Sequence, residues 1–396
     1  MNRLFWVIIS ILFSVKILFI SVDTVVITVL LPLLINLAIL FVFSLSEIRR
    51  FILTRKIFSI VFIVNFSCLL SLLIGYINGF SLNSSVATYV KIITMQMLFI
   101  FGVFSAYLNY ERRFIFLLAF LITIHMLFGV FAPFIGVGMQ EFENVMRSAG
   151  IVGKVNNLAN LALFASVLFF ILSNRATNKL YLYISLLAFL VVFFTGTMKN
   201  ILIIIVVMLY FLYSKSKNKI FGLLSLLLLV MFVCFIAIYD SEFNSRIEQF
   251  SSGININISE GDVVNNSMDW RLIHWKLLWN DWSSNYPLLG VGLGNHLYLK
   301  GLIYENNLTY DPHNDYLKIL FEFGIIGFLP FVFLLVKLII CLRQISKCSL
   351  LSEALYYCAI SMSVAMLVAN ILFGMAVFYF FWPLLGFCVF KIYNKQ

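Results

Sequence analysis

The stretch Asp311-Pro-His-Asn-Asp-Tyr-Leu-Lys-Ile-Leu-Phe-Glu-Phe-Gly-Ile-Ile-Gly327 closes the longest polar interval in the chain, which runs from residue 240 to residue 322. That interval contains 11 of the 17 acidic residues, three of the four histidines and four of the six tryptophans. The sequence on either side of it is almost entirely apolar. We therefore expect the flanking segments to form a scaffold and the interval to carry the polar chemistry.

The composition is that of a polytopic membrane protein. Of the 396 residues, 63% are hydrophobic and 11% are charged, and the mean hydropathy is +1.04, whereas soluble domains carry about 25% charged residues. The net charge of +10 would favour a nucleic-acid partner in a soluble protein. Here the interval 240–322 has a net charge of −6, and most of the remaining +16 lies in short loops between apolar segments. This distribution indicates membrane topology, so we expect no nucleic-acid partner.

Twelve apolar segments approach the length of about 20 residues that a helix needs to cross a bilayer. Basic residues gather in alternate loops between these segments, for example Arg49 with Arg50 and Arg112 with Arg113. Twelve spans with both termini in the cytoplasm place every basic cluster inside, and they place residues 240–322 on the periplasmic face of a bacterial inner membrane. The predicted spans are 4–21, 24–45, 57–78, 91–109, 114–132, 158–173, 180–196, 200–213, 220–239, 324–342, 354–373 and 376–392.

The predicted fold is therefore all-α and polytopic, with about twelve transmembrane helices and one large periplasmic loop that contains short helices. The chain divides into spans one to nine over residues 1–239, the loop over 240–323 and the last three spans over 324–396.

An amphipathic helix is predicted inside the loop over residues 269–282. Trp275, Leu278, Trp279 and Trp282 are spaced to share one of its faces. Because tryptophan favours the headgroup layer, we expect this helix to lie along the membrane surface. The alternative is that the helix buries this face against the loop's own core.

Three glycines, Gly290, Gly292 and Gly294, follow the helix. Their spacing is superficially that of a phosphate-binding loop, but no strong strand precedes them and no obvious helix follows, so the dinucleotide fingerprint lacks its context. Two interpretations stay open. The turn could hold backbone N–H groups near an anionic headgroup, or its glycines could serve turn geometry alone.

His313 is the strongest candidate for a general base, because a histidine can accept a proton from a hydroxyl group near neutral pH. Asn314 and Asp315 follow it and could orient it. A purely structural histidine fits the residue types equally well. His274 and His296 have weaker claims, and no paired spacing such as HxxxH occurs, so we expect neither a metal nor another cofactor.

Four cations on the predicted outer side could bind a phosphate group: Arg147, Arg246, Arg271 and Lys199. An arginine fork matches phosphate oxygens with two parallel hydrogen bonds and stays charged. Pairing with the abundant acidic residues of the same face is the alternative for each of them.

The run from Pro287 to Gly327 resembles the signature region of the O-antigen ligase and O-antigen polymerase superfamily. Asp269-Trp-Arg271 is similar to an arginine-containing segment of that family, and Arg147-Ser-Ala-Gly with Asn156-Asn157 is similar to the pattern in the preceding outer loop. The resemblance covers residues 147–327. It implies a GT-C-type glycosyltransferase fold and a glycan donor linked to undecaprenyl diphosphate.

The resemblance also implies roles for the candidate residues. The outer arginines would hold the diphosphate, and His313 would activate the acceptor hydroxyl for an inverting displacement that uses neither a metal nor a nucleotide sugar. The chain departs from the family at Thr195-Gly-Thr-Met-Lys199, where the family often has an arginine after a Thr-Gly-Ser turn. Lysine supplies the charge without the fork.

The first hypothesis for function is an O-antigen or related surface-polysaccharide polymerase, with a chain-length regulator as an optional further partner. The alternative is the O-antigen ligase, which transfers the finished glycan to lipid A–core. A transporter of lipid-linked sugars ranks third, because the two halves of the chain show no inverted repeat.

Overall fold

Over the residues that the structure describes, the protein folds almost entirely into α-helices. The computed structural model describes residues 2–21, 30–54, 57–142, 145–174, 179–215, 267–302, 309–372 and 376–393. A short antiparallel hairpin, β1 (Met139–Phe142) and β2 (Val145–Ser148), follows α6. The described helices are α1 (Asn2–Leu18), α2 (Leu31–Phe43), α3 (Ser46–Thr54), α4 (Ile57–Ile77), α5 (Leu82–Tyr107), α6 (Glu111–Ile135), α7 (Val155–Ser173), α8 (Leu180–Phe194), α9 (Met198–Lys215), α10 (Ser267–Asn285), α11 (Asp315–Ile345), α12 (Leu350–Ala365) and α13 (Phe378–Tyr393).

The predicted membrane spans agree with these helices. Every predicted span that falls on described residues overlaps a helix, but the span predicted over 354–373 is helical only as far as Ala365, and residues 366–372 are not helical. The span predicted over 220–239 lies outside the described residues. Among the described helices, α5, α6, α7, α9 and α11 are long and apolar enough to cross a membrane, and α2 with α3, which meet at 93°, form a sixth candidate. The all-α polytopic fold is confirmed, while the count of twelve spans stays a prediction.

Local sequence signals explain several helix ends. The Ser81 hydroxyl accepts a hydrogen bond from the Asn83 amide and caps the start of α5. Ser349 caps α12 in the same way through the Ser352 amide. α6 ends at Gly136, whose left-handed conformation suits the residue that follows a helix.

Small residues let the scaffold helices approach closely. A Cβ at Gly102 of α5 would lie 1.8 Å from the Pro383 carbonyl of α13, and one at Gly386 would lie 2.0 Å from the Phe99 carbonyl. α7 lies at the centre of the helical core, with nearly all its side chains buried. Interfaces of small residues of this kind are typical of helices packed in a bilayer, where burial of apolar surface gives little driving force.

α10 packs against a second, smaller core. Leu278 and Trp282 are fully buried there, with Trp282 beside Phe321 of α11 at a ring distance of 5.8 Å. Trp279 is 47% exposed, and the Trp275 indole donates a hydrogen bond to the Pro312 carbonyl at 2.6 Å. These contacts support the alternative interpretation of this helix. Most of the predicted membrane-surface face is covered by the protein itself.

α11 is interrupted at Gly324, whose φ of 62° and ψ of −175° are not helical. An unbroken helix would have the amides of Ile325 and Ile326 donate to the carbonyls of Phe321 and Glu322, four residues earlier. The interruption therefore leaves these two carbonyls and these two amides without their helical hydrogen-bond partners.

The glycine turn over residues 287–292 takes up all four freed groups. Two of its amides donate to the carbonyls before the break, and two of its carbonyls accept hydrogen bonds from the amides after the break. The exchanged bonds run from Val291 N to Phe321 O (2.9 Å), from Gly292 N to Glu322 O (3.0 Å), from Ile325 N to Pro287 O (3.0 Å) and from Ile326 N to Leu288 O (3.2 Å). The break in α11 therefore leaves none of these four backbone groups unpaired, as a low-dielectric surrounding requires.

Glycine is needed on both sides of this exchange. A Cβ at Gly290 would lie 2.5 Å from the Glu322 carbonyl oxygen, and a Cβ at Gly324 would lie 2.1 Å from the Leu288 carbonyl oxygen. Both residues have positive φ, which glycine adopts without steric cost. The turn and the broken helix consequently meet backbone against backbone.

Candidate active site

His313 stands immediately before α11. The Asn314 side-chain oxygen caps the helix by accepting from the amides of Tyr316 (3.0 Å) and Leu317 (3.1 Å). His313 and Asn314 therefore lie at the entrance of this helix. His313 itself has a φ of 51°, a conformation that is costly for a residue with a Cβ. A catalytic role for Asn314 stays a prediction, and its oxygen is already engaged by the cap.

Asp315 fixes the wall of the site. Its Oδ2 accepts from the amides of Ile371 (2.6 Å) and Leu372 (2.8 Å), and its own amide donates to the Met366 carbonyl at 3.0 Å. Its Oδ1 has no hydrogen-bond partner among the described residues. The carboxylate therefore anchors residues 366–372, which follow α12, and does not orient His313 through a hydrogen bond.

Two predicted cations converge on His313. Lys199, in the first turn of α9, donates from Nζ to the Val368 carbonyl at 2.8 Å. Arg271 lies on α10, and its buried Nε has no hydrogen-bond partner within the described part of the chain. The ring of Trp270, next to Arg271, lies 5.8 Å from the His313 ring, and Val368, which accepts from Lys199, is two residues from Asn370, which contacts His313. The three groups therefore lie in one region. A guanidinium nitrogen without a hydrogen-bond partner is a donor that an anionic ligand can satisfy.

The surroundings keep His313 neutral. Burial lowers the pKa of its imidazole to about 4, the Arg271 and Lys199 cations act in the same direction, and the Asp311 carboxylate opposes them. A neutral imidazole can accept a proton at pH 7. Its Nδ1 lies 3.3 Å from the Asn370 amide, and its Nε2 has no hydrogen-bond partner among the described residues. Of the two ring nitrogens of His313, Nε2 is therefore the one that a substrate can contact.

Arg147 approaches the site from the other side of Lys199. It lies on β2, and its guanidinium packs against the turn that precedes α9, because a Cβ at Gly196 would lie 3.3 Å from Arg147 Nε. The structure therefore places three of the four predicted cations around one region. The fourth, Arg246, lies outside the described residues.

A buried charge cluster forms beneath the site, and sequence reasoning did not anticipate it. His296 Nδ1 lies 2.6 Å from Glu322 Oε1, Lys318 Nζ lies 2.9 Å from Asp311 Oδ2, and His296 Nε2 lies 3.5 Å from the same Asp311 oxygen. Burial and the Lys318 ammonium act to lower the pKa of His296, but the carboxylates of Asp311 and Glu322 outweigh them and raise it. The spacing of Lys318 and Glu322 on one face of α11 was the available signal.

His274 is structural. Its Nδ1 accepts from the Leu302 amide at 3.1 Å, so its Nε2 carries the proton and donates to the Tyr310 carbonyl at 3.0 Å. Burial lowers the pKa of this histidine to about 4, and its side chain is fully buried. With both ring nitrogens occupied, His274 has no lone pair left for a substrate.

The glycine turn has little capacity left for an anion. The amides of Gly290, Val291, Gly292 and Leu293 all donate to backbone carbonyls, the last to Ser71 at 3.4 Å. A Cβ at Gly294 would lie 2.9 Å from the Ser84 carbonyl oxygen. These contacts support the interpretation of the three glycines as turn geometry and close packing.

One further residue of the site was missed. Asn370 contacts His313 from the segment after α12, beyond the polar interval where the sequence concentrates its chemistry. A single amide between apolar neighbours in a membrane protein is a signal that could have drawn attention to it.

Residues 183–332 match the O-antigen ligase family model. This O-antigen ligase region includes Lys199, Arg271, the glycine turn and His313, and it excludes Arg147 and Asn370. The match confirms the resemblance that the sequence suggested, although it begins later than the predicted start at residue 147. No curated protein matches the chain. The match supports an enzyme of the O-antigen ligase and polymerase type, a glycosyltransferase whose substrates are lipid-linked oligosaccharides.

Proposed function

We propose that the protein is an O-antigen polymerase. It takes a glycan from undecaprenyl diphosphate and transfers it to a hydroxyl group of a second lipid-linked repeat unit at the periplasmic face of the bacterial inner membrane. The observation that carries the proposal is the position of His313 in one region with the basic side chains of Lys199 and Arg271, the latter with an unpartnered Nε among the described residues. A base without charge and an anion site are the two components that such a transfer requires.

In the proposed mechanism, His313 Nε2 removes the proton of the acceptor hydroxyl. The oxygen attacks the anomeric carbon, and the bond between that carbon and the diphosphate oxygen breaks with inversion. Undecaprenyl diphosphate leaves with the electron pair, and its growing negative charge is stabilised by Arg271, Lys199 and Arg147. Preorganised cations aimed at developing charge contribute strongly in a site shielded from water. The cations of the site thereby take the part that a divalent metal plays in other transferases.

Lys199 is a monodentate contact in this scheme. Its ammonium already donates to the Val368 carbonyl, so one of its three protons is fixed and two remain for phosphate oxygens. Arg271 supplies the planar fork that Lys199 lacks. We infer that Arg271 fixes the orientation of the diphosphate and that Lys199 mainly adds charge.

A second candidate is the O-antigen ligase, because that is the description of the family model that matches residues 183–332. It would use the same donor, base and cations, and it would differ in its acceptor, lipid A–core. The described site contacts do not favour one acceptor, so the acceptor is the variable to test.

The test is a reconstitution of the purified full chain in detergent with a synthetic repeat unit linked to undecaprenyl diphosphate. Lengthening of the lipid-linked chain supports the polymerase. Product that forms only after addition of lipid A–core supports the ligase instead. Detergent has no second compartment, so either product argues against a transporter. Absence of both products, together with movement of lipid-linked sugar in proteoliposomes, overturns the proposal.

A further inference from the structure

The segment 366–372 is held in place at three points. The Asp315 amide donates to Met366, the Lys199 ammonium donates to Val368, and the Asp315 carboxylate accepts from Ile371 and its neighbour. Each contact comes from an element that carries a residue of the candidate site. Asn370 is therefore presented to His313 from a fixed backbone.

The contact between the two side chains is made through His313 Nδ1, which lies 3.3 Å from Asn370 Nδ2. Asn370 Oδ1 is buried and has no hydrogen-bond partner among the described residues. A half-turn of the amide exchanges its two ends with little change of shape. In that orientation the unpaired oxygen becomes the atom that faces Nδ1.

The orientation of the amide decides which ring nitrogen of His313 can act. A neutral imidazole has one N–H donor and one acceptor. If the amide nitrogen donates to Nδ1, the proton lies on Nε2, which then cannot accept another. If the amide oxygen accepts from Nδ1–H, Nε2 carries the lone pair. Since Asn370 covers Nδ1, only Nε2 can meet a substrate.

We propose that Asn370 is the positioning residue of His313. Its amide oxygen accepts the Nδ1 proton and so holds the imidazole in the tautomer whose Nε2 takes the proton of an acceptor hydroxyl. The inference rests on the proposed function for the step that this tautomer serves. In many histidine-based sites an acidic residue holds the tautomer through Nδ1–H, and here a neutral amide has that role.

Two substitutions separate positioning from packing. Asn370→Asp keeps an acceptor at Nδ1 and adds a charge, whereas Asn370→Leu keeps the approximate shape and removes the hydrogen bond. We expect Asn370→Leu to lower kcat about 100-fold with a donor KM within about 2-fold of the original, because proton transfer alone is affected. We expect Asn370→Asp to retain most of kcat and to move the acid limb of the kcat/KM profile to higher pH.

The direction of that pH shift follows from the charges that face His313. Arg271 and His274 lie on α10, Lys199 on α9, Lys318 on α11 and Asp311 two residues before His313. Asp311 is the acidic member of this set. A second carboxylate at residue 370 would stabilise the imidazolium further and raise the pKa of the base. A purely structural role would instead make the buried charge of Asn370→Asp at least as harmful as leucine.

Asn36 offers a matched control. Its Nδ2 donates to the Thr94 hydroxyl at 3.4 Å, and its Oδ1 is likewise buried without a partner in the described part of the chain. Asn36→Asp and Asn36→Leu make the same chemical changes on α2. We expect both to leave the pH profile of turnover unchanged.

The deciding measurement does not need turnover. In protein labelled with ¹⁵N-histidine, long-range ¹H–¹⁵N spectra at neutral pH report which nitrogen carries the proton, and His313→Ala assigns the signal. We expect His313 protonated on Nδ1 in the original protein and in Asn370→Asp, and largely on Nε2 in Asn370→Leu. Should Asn370→Leu fail to fold, Asn370→Ala takes its place, since alanine also lacks a hydrogen-bonding group.

Protonation on Nε2 in the original protein, or the same tautomer in Asn370→Leu, overturns the inference. If no variant makes glycan product, the proposed function fails, and the tautomer spectra still decide the role of Asn370.

Discussion

His296 and His313 lie on two sides of the same charged region and are driven to opposite states. His296 is enclosed by the carboxylates of Glu322 and Asp311, which raise its pKa, and its side chain is almost fully buried. His313 faces Arg271 and Lys199, and burial together with these cations lowers its pKa to about 4. Residue type alone gives the two histidines equal claims. Their neighbours favour the protonated form of His296 and the neutral form of His313.

The surroundings of the two histidines also differ in the balance of their charges. In the cluster of His296, Glu322, Asp311 and Lys318, each basic side chain faces a carboxylate, which lowers the cost of burying it. Around His313 the basic side chains outnumber the single carboxylate of Asp311. An excess of basic groups suits an anionic ligand, whereas matched charges offer it no such attraction.

The largest expected effect is that of His313→Ala. Removal of the base should lower turnover about 1,000-fold, within the range typical of general-base catalysis. The amount of folded protein in the membrane should not change, because the His313 side chain is only partly buried. Turnover in detergent and the elution profile of the purified protein check both points. Normal glycan ladders from this variant would reject the assignment.

The next effect concerns the other histidine. Glu322→Gln removes the carboxylate closest to the buried His296, and we expect a loss of about 3 kcal/mol in stability, as for other broken buried pairs. The double variant His296→Gln/Glu322→Gln should lose less, because no charge is then left unpaired. Thermal unfolding midpoints in detergent measure the difference. Equal midpoints for the original protein and the single variant would show that the pair does not matter.

Arg271→Lys should have a smaller effect on activity. The charge is kept and the two-pronged contact is lost, so we expect about a 10-fold lower kcat/KM, which corresponds to one charged hydrogen bond. Lys276→Arg, at an exposed position on the same helix, is the matched control and should leave kcat/KM unchanged. An unaltered rate in Arg271→Lys would place the diphosphate elsewhere.

The smallest effect is a difference in pH dependence. The pKa of His296 is raised above 6.5, so its stabilising effect is present below that value and is lost as the pH rises through the folded-state pKa. The pKa of His313 is lowered from 6.5 to about 4, so its contribution is present above 6.5 and is lost as the pH falls toward 4. His296→Gln should flatten the alkaline side of a plot of unfolding midpoint against pH. His313→Ala should flatten the acidic side, where His274 also contributes, and the opposite assignment would contradict the comparison.

The sequence predicted the scaffold well because apolar length and loop charge are local properties. Each predicted span on described residues contains a helix, although the one over 354–373 runs past the helix end at Ala365. The position of His313 at a helix entrance was also predictable, since Asn314 is a strong N-cap residue followed by an apolar run.

The contacts that give the site its chemistry were not predictable, because they join distant residues. Glu322 meets His296 across 26 positions, and Asn370 meets His313 across 57. The amphipathic pattern of α10 showed that one face is covered and could not show what covers it. A single sequence holds no record of such pairings.

The exchange of backbone bonds between the glycine turn and α11 has a mechanical consequence. A non-helical residue within a long helix is the usual place to look for a hinge. At Gly324, however, bending would have to break the four bonds that unite both halves of the helix with residues 287–292. We expect these parts to shift together as one stiff body, so a bulky substrate must be accommodated by movement of the surrounding elements and not by flexing of this helix.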